Sequence, residues 1–509
     1  HFAIRPNLSH WWMTLLVEKC NFSKSPQIDG LIKLMAFENW FNKSDYSEII
    51  LISSNKKLAQ SLEILASEIF VSFEWRKRKL IKRDKSLTKY LSNYLPYSCK
   101  GILWLFHHLI SHWSLKGVGI KKWKATSARI AFVSYFMNLT PNSVKKGIYE
   151  SNYWTSLTNL LKTNNVSSNW LHIYVKNESF PNIKSAKNLI KKFNKSNGEV
   201  HVFLHSFLST KIVFQVLKIW WKLFNLEKPI RNLLNKNNTK YWPFLENDYK
   251  NSILGPAGTS NLLFLNLFDD AMANIPIQSK GFYLNENQGW EFGFISMWRS
   301  NGHSNKLMAV PHSIIRYWDL RYFFDPRSYK SSSALTLPLP DFICVNGSAA
   351  KKMYLDNNYP EVSLIEVEAL RYLHLKRTIT KKISKAKQIN QVLVLGDYDK
   401  NNTDFQMKLL SDASNLLNHS VKFIVKPHPS CPIKKSDYPE INLKIVDNPI
   451  SELIDDCAVV YTSCLTSAAL DAYYFGKNVL SARDPIGLNL SPLRGAKSAV
   501  FVSTGQELA

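Results

Sequence analysis

Along the chain, short apolar runs rich in β-branched residues stop abruptly in polar ones, and stretches of helical spacing separate them. Such runs mark strands buried on both faces of a parallel sheet, each ending at the sheet's carboxyl edge. Glu48–Ser53 is the first, with a helix expected over 59–69 and helices packed on the sheet expected from Trp11, Trp12, Leu15, Leu16, Leu31, Leu34, Met35 and Phe37. Ala131–Phe136, Trp170–Val175, Val200–Leu204, Gly281–Asn285, Lys306–Val310 and Asp341–Val345 continue the series. After a lysine-rich stretch, Gln391–Leu395, Val421–Val425, Leu443–Val446 and Val459–Tyr461 resume it. Strands alternating with helices imply βαβ units. The expectation is an α/β chain of two Rossmann-like domains facing a cleft. The N-terminal domain takes 1–375 with a helical insertion at about 76–128, the linker 376–390 and the C-terminal domain 391–509.

Ligands of open α/β sheets sit at the carboxyl edge, so the residues just beyond each strand carry the candidate chemistry. Val421–Val425 runs into Lys426, Pro427, His428 and Pro429. A histidine between two prolines has little backbone freedom, which places its imidazole to meet a phosphate, with Lys426 adding charge. Val459–Tyr461 runs into Thr462, Ser463, Cys464, Leu465, Thr466 and Ser467. Thr466 and Ser467 open the next helix, where hydroxyls and free amides suit an anion. Asp471, one turn further, is placed to take a ribose diol. Gly396 forms the first loop of the second domain without a GxGxxG pattern, which argues against a dinucleotide site. Taken singly, these pieces also suit a turn and helix caps; together, on successive strands, they suit a nucleotide.

The KPHP strand end, the Thr466-Ser467 pair and the tail from Leu470 to Leu480 resemble the C-terminal half of GT-B glycosyltransferases. Among these they are most similar to bacterial surface-polysaccharide enzymes that use CMP-activated sugars, the capsule Kdo transferases and bacterial sialyltransferases. Those share an HP motif and a Ser-Ser or Ser-Thr motif. Many GT-B enzymes carry a glutamate where Asp471 stands. The motif match covers 421–480, with a looser pattern over 280–480. The resemblance implies a metal-independent glycosyltransferase with a nucleotide-sugar co-substrate, no further cofactor, and a glycan or glycolipid acceptor.

In the first half, Gly281–Asn285 ends in Glu286, and Trp290-Glu291 begins the next helix. A carboxylate at that edge can deprotonate an acceptor hydroxyl, and either glutamate can instead cap the helix. His312 follows the strand ending at Val310 and is an alternative base or phosphate ligand. Arg316 and Arg321 can embrace an acidic or phosphorylated ligand, and Ser331–Leu339 suits a lid.

Composition narrows the partners. With 65 basic against 39 acidic residues the formal net charge is +26, so polyanions are attracted. No zinc spacing, RNP motif or basic heptad array accompanies the charge, which excludes the recognised nucleic-acid classes. The basic run Arg76–Arg83 next to the aromatic-apolar 101–110 stretch suits an anionic membrane surface, or equally a solvated basic helix beside a core helix. Six scattered cysteines without CxxC point to reduced thiols and a cytoplasmic setting. The charge, with 15 Trp and 22 Tyr as interfacial anchors, suits peripheral attachment at the inner face of the plasma membrane. The acidic pair Asp397 and Asp399 suits loop and cap positions, and no DxD triad suggests a metal. A CDP-glycerol-type polyol-phosphate transferase shares the HP and Ser-Ser signals, and a non-catalytic polyanion-binding scaffold would share the charge.

Overall fold

A computed structural model describes residues 2–20, 24–78, 94–176, 182–196, 198–237, 240–331, 333, 335–373, 390–417 and 421–509. The chain is an α/β protein of two compact units. One holds residues 1–312 and 320–370, the other 313–319 and 371–509. The segment 313–319, expected in the first domain, belongs to the second unit. The linker (apart from residue 390), the basic run beyond Arg78, and residues 332 and 334 of the expected lid lie outside the described residues.

The first unit opens with a small hairpin of β1 (Ala3–Arg5) and β2 (Leu8–Ser9). Strands β3 (Glu48–Ser53) and β4 (Ser72–Lys77) then pair in parallel with each other and form a sheet of their own. Glu48–Ser53 is thus a strand, as its pattern predicts, but it lies outside the main sheet. The helices Tyr97–His112 and Ile120–Lys124 therefore precede the main sheet in the chain and do not interrupt it.

The main sheet has seven parallel strands: β5 (Ile130–Phe136), β6 (Ser168–Tyr174), β7 (Glu199–Phe203), β8 (Lys280–Asn285), β9 (Leu307–Pro311), β10 (Phe342–Val345) and β11 (Leu364–Glu366). Their spatial order is β11-β10-β9-β8-β5-β6-β7. Read from β5 as the first, the order is 3-2-1-4-5-6-7, a doubly wound sheet whose direction of growth reverses between β5 and β8. All seven residues of β6 are buried, as expected of a strand covered on both faces. Phe282, Phe132 and Trp170 stand in register on β8, β5 and β6. Their rings stack at 5.0 and 4.2 Å, which pins the centre of the sheet. The buried helix Pro256–Ala273 carries Pro256 in its first turn, where no amide partner is needed.

The second unit repeats the plan with β12 (Gln391–Leu395), β13 (Lys422–Lys426), β14 (Leu443–Ile445), β15 (Val459–Ser463), β16 (Asn478–Ala482) and β17 (Ala499–Val502). All pair in parallel in the order β14-β13-β12-β15-β16-β17, again 3-2-1-4-5-6, and its reversal lies between β12 and β15. Two apolar clusters cover its faces, one around Val394, Val425 and Tyr461, the other around Leu393, Leu395 and Val460.

Candidate functional site

The reversal point of a doubly wound sheet leaves a crevice beyond the strand ends, and both units fill theirs with polar side chains. In the first unit the crevice lies past β5 and β8. Glu286 follows the last residue of β8, and His312 follows the last residue of β9. His312 Nε2 lies 3.3 Å from Glu286 Oε1, and the glutamate is the more exposed of the pair, 24% against 8%. The Tyr135 hydroxyl, from β5, reaches Glu286 Oε2 at 3.5 Å across the reversal, and Gln288 Nε2 donates to the same oxygen. Burial, reinforced by the charges of Glu286 and Glu291, holds the Tyr135 phenol well above its usual range, so it remains a donor. The Tyr153 ring stands edge-on to His312 at 4.8 Å.

Glu291 has another task. Its Oε1 accepts from the amides of Glu286 (2.9 Å) and Gln288 (3.0 Å), and its Oε2 from the Asn287 amide (3.2 Å) and Asn285 Nδ2 (2.7 Å). This capping box ties the start of helix Gly289–Ser300 to the turn that carries Glu286. Burial pushes the Glu291 carboxyl up to about 8, against the pull of these donors. The base role expected for Glu291 gives way to a positioning role, because all four contacts consume its oxygens. Arg321 Nη1 donates to the Glu286 carbonyl at 3.1 Å and braces the same turn.

In the second unit the crevice lies past β12 and β15. Asp397 is fully buried there, and its Oδ2 accepts from the Ser463 hydroxyl, which spans the reversal from the end of β15. Its Oδ1 accepts from the Asp399 amide at 2.9 Å. Burial raises the Asp397 pKa, while the Ser463 bond, the Asp399 amide and the Arg316 charge oppose the rise. Ser463 Oγ accepts in turn from the amides of Leu465 (3.2 Å) and Thr466 (3.3 Å). The anion site expected at the Thr466-Ser467 helix start is changed by this arrangement. These two amides are used internally, Thr466 is buried with its Oγ1 3.4 Å from the Ala468 amide, and the helix Ala468–Tyr474 has only seven residues.

His428 lies beside Asp397, past β13. Its Nδ1 accepts from the Ser430 amide at 3.2 Å, with the Ser430 hydroxyl at 2.7 Å. That network assigns the proton of the neutral ring to Nε2, which makes Nε2 the donor toward a ligand. Burial lowers the His428 pKa, opposed by the Asp397 charge. Gly396 allows the close approach: a Cβ there would meet His428 N and Pro427 Cα at 3.2 Å. Pro429 is exposed beside it. Lys426 is turned elsewhere, its Nζ donating to the Asp447 carbonyl at 3.1 Å. Arg316 Nε donates to the Leu465 carbonyl at 3.0 Å, and its guanidinium lies 6.0 Å from the Tyr398 ring centre. Asp471 is half-buried one turn into its helix, its charge felt by Tyr372 alongside that of Arg316.

The expected residues thus divide into two groups. Glu286, Glu291, His312 and Arg321 gather in the first unit; Gly396, His428, Ser463, Thr466 and Arg316 gather in the second. The expected Arg316–Arg321 clamp is not formed within either unit, since each arginine braces a carbonyl of its own. Asp397, read from sequence as a loop or cap residue, is instead the buried partner of Ser463; Asp399 is the cap, accepting from the Asn402 amide at 3.0 Å. Tyr135 is hidden inside a strand that is apolar but for Ser134. Of the expected lid, Leu335 and Leu337 are tied down: Trp12 Nε1 donates to the Leu335 carbonyl at 2.7 Å, and the Leu337 amide donates to the Ser328 carbonyl at 2.8 Å.

No protein-family model matches the chain, and no curated protein matches it in sequence. Solved structures do align. UDP-GlcNAc 2-epimerase from Neisseria meningitidis, bound to UDP-GlcNAc, aligns at a TM-score of 0.39 and 9% identity over 74% of this chain and 87% of that one. Acinetobacter baumannii MurG gives 0.35 and 8% over 75% and 88%. The α,α-trehalose 6-phosphate synthase of Burkholderia multivorans gives 0.39 and 11% over 75% and 87%. Likenesses of this degree carry nothing about chemistry, which rests on the chain's own residues.

Proposed function

We propose that the protein is a metal-independent glycosyltransferase of the GT-B type, whose second unit holds a nucleotide-activated sugar and whose first unit activates an acceptor hydroxyl. The observation that carries this reading is the pairing of chemistry with topology. In each sheet the reversal point is bridged by polar side chains, Tyr135 to Glu286 in one and Ser463 to Asp397 in the other. His428 Nε2–H donates to the nucleotide phosphate and stabilises it as it leaves. Asp471 takes the ribose. Glu286, the more exposed member of its pair, removes the acceptor proton as the acceptor oxygen bonds the anomeric carbon and the bond to phosphate breaks. His312, Tyr135 and Glu291 position it. The motif resemblance at 421–480 favours a CMP-linked donor carrying Kdo or another nonulosonic acid, and a surface polysaccharide or lipopolysaccharide as acceptor.

The reading includes peripheral attachment at the cytoplasmic face of the membrane. Helix Tyr97–His112 exposes Leu103, Phe106 and Ile110, at 57, 52 and 81%, on one face. Lys100 and Lys116 stand at its two ends, and such a face suits anionic lipid. Among the described residues no helix is long and apolar enough to cross a membrane.

Release of free nucleotide from CMP-, UDP- and GDP-sugars in the presence of polysaccharide acceptors tests the reading. The expected result is acceptor-dependent release from a CMP-sugar, lost in Glu286→Gln. Release from UDP- or GDP-sugars alone would remove the Kdo-type assignment, and transfer from CDP-glycerol would replace the sugar by a polyol phosphate. Inactivity with every donor would overturn the enzyme.

A further inference from the structure

At the edge strand of the seven-stranded sheet, away from the acid–base pair, three histidines converge. His108 and His112 lie one turn apart on helix Tyr97–His112, and His205 lies in the short turn Leu204–Phe207 that follows β7. One nitrogen from each ring falls within 4.8 Å of those of the other two. His108 Nε2 and His205 Nε2 are 2.8 Å apart. The rings stack, His108 on His112 at 4.0 Å and His112 on His205 at 4.4 Å.

The surroundings prepare these nitrogens as ligands. His112 Nδ1 lies 2.9 Å from the His108 carbonyl, which can only accept, so Nδ1 carries the proton and the lone pair of the neutral ring is on Nε2. This is the outer hydrogen bond that metal-bound histidines commonly make. His205 is buried, its Nδ1 has no partner, and its Nε2 is the nitrogen that meets His108. Trp104 stacks on His108 at 4.5 Å, and Phe264 meets the His205 ring edge-on at 5.8 Å, holding both planes. Gly101 seats the helix: a Cβ there would lie 2.1 Å from the Leu254 carbonyl, so the backbones pack without a side chain between them.

We propose that His108, His112 and His205 form a binding site for a late first-row divalent cation, zinc above all, held by three imidazole nitrogens with one position open. Tetrahedral zinc, with bonds of about 2.0–2.1 Å, spaces its ligand nitrogens at roughly 3.3 Å. The closest pair here, at 2.8 Å, needs to open by about half an ångström and no pair lies beyond 4.8 Å, so binding requires the stacked rings to turn until their in-plane lone pairs meet at one point. An all-imidazole set favours zinc, copper or nickel over magnesium or calcium. In strand order, β7 is three places from β8, or about 14 Å at the usual spacing, so the cation takes no part in the transfer step. Its effect is to fasten helix Tyr97–His112 to the sheet edge. Sequence spacing alone misses the site, because His205 stands far along the chain from the His108–His112 pair.

The test uses the full chain stripped of metal with a chelator and titrated with cobalt(II), whose visible spectrum reports coordination. The expected result is one equivalent bound with the intense bands of a four-coordinate site. His112→Ala, at the half-exposed member, should lower affinity by more than about 100-fold, since even outer-shell changes cost 10–100-fold. The exposed neighbour changed in His107→Ala should leave it unchanged. X-ray absorption on the zinc-loaded wild type should count three imidazoles without recourse to any variant. Failure of cobalt and zinc to bind, equal binding in His112→Ala, or a six-coordinate spectrum with fewer imidazoles would overturn the site. None of these outcomes bears on nucleotide binding by the second unit.

Discussion

Two sheets of the same topology carry opposite chemistry at the same place. At the ends of β5, β8 and β9 stand a phenol, a carboxylate and an imidazole, the groups proposed to carry the proton transfer. At the ends of β12, β13 and β15 stand a glycine, a buried aspartate, an imidazole with its proton on Nε2, and a hydroxyl; of these the imidazole is the one proposed to contact the nucleotide phosphate. The strand order fixes where the polar residues meet, and their identity fixes what they do there. The comparison also separates roles within a set. Glu286 and Glu291 are five residues apart, but the first keeps a partly exposed carboxylate and the second is buried with both oxygens filled.

The largest effect that would break the comparison is catalytic. Glu286→Gln should lower kcat for transfer by about 10²–10⁴-fold, the range of a lost general base, while leaving nucleotide affinity unchanged. Equal loss of binding would mean that the two edges do not divide the work. Next in size, His428→Ala should weaken nucleotide binding by about 1.5–3 kcal/mol, the worth of a hydrogen bond to a charged group, read by calorimetry.

Glu291→Gln tests the capping assignment. It sets an amide nitrogen against N–H donors and should cost about 1–3 kcal/mol in urea unfolding. The sign of its pH dependence follows from a folded-state pKa raised from 4.5 to about 8. Between those values the folded state holds a proton that the unfolded state releases, so this contribution is full below 4.5 and lost as pH rises through 8. The difference between wild type and variant should therefore narrow across that window. The smallest effect is that of Gly396→Ala, whose methyl would press on His428 N and Pro427 Cα and cost about 1 kcal/mol.

Much of the fold was legible because buried parallel strands leave an unbroken apolar run with a sharp polar end. Val421–Val425 and Gly281–Asn285 are examples, and both candidate histidines at strand ends were found in that way. What was not legible depended on pairing partners. Glu48–Ser53 has the same pattern as the central strands, yet it pairs only with β4 in a sheet of two. Asp397 follows a glycine in a plain turn, and nothing local reveals that Ser463, on another strand, reaches across to it. The two amides drawn to Ser463 Oγ could not be foreseen from a Thr-Ser pair, which by itself suits an open helix start.

The central claim is that one sheet edge binds nucleotide and the other activates the acceptor. The most direct measurement is a thermal-shift screen of the full chain against CMP, CDP, UMP, UDP and GDP, run in parallel on wild type, His428→Ala and Glu286→Gln. A ligand at 100 times its dissociation constant stabilises by about 2.7 kcal/mol, enough to move the midpoint visibly. A nucleotide, CMP first, is expected to stabilise wild type and Glu286→Gln alike and to leave His428→Ala unmoved. Equal stabilisation of all three proteins, or of none, would contradict that claim.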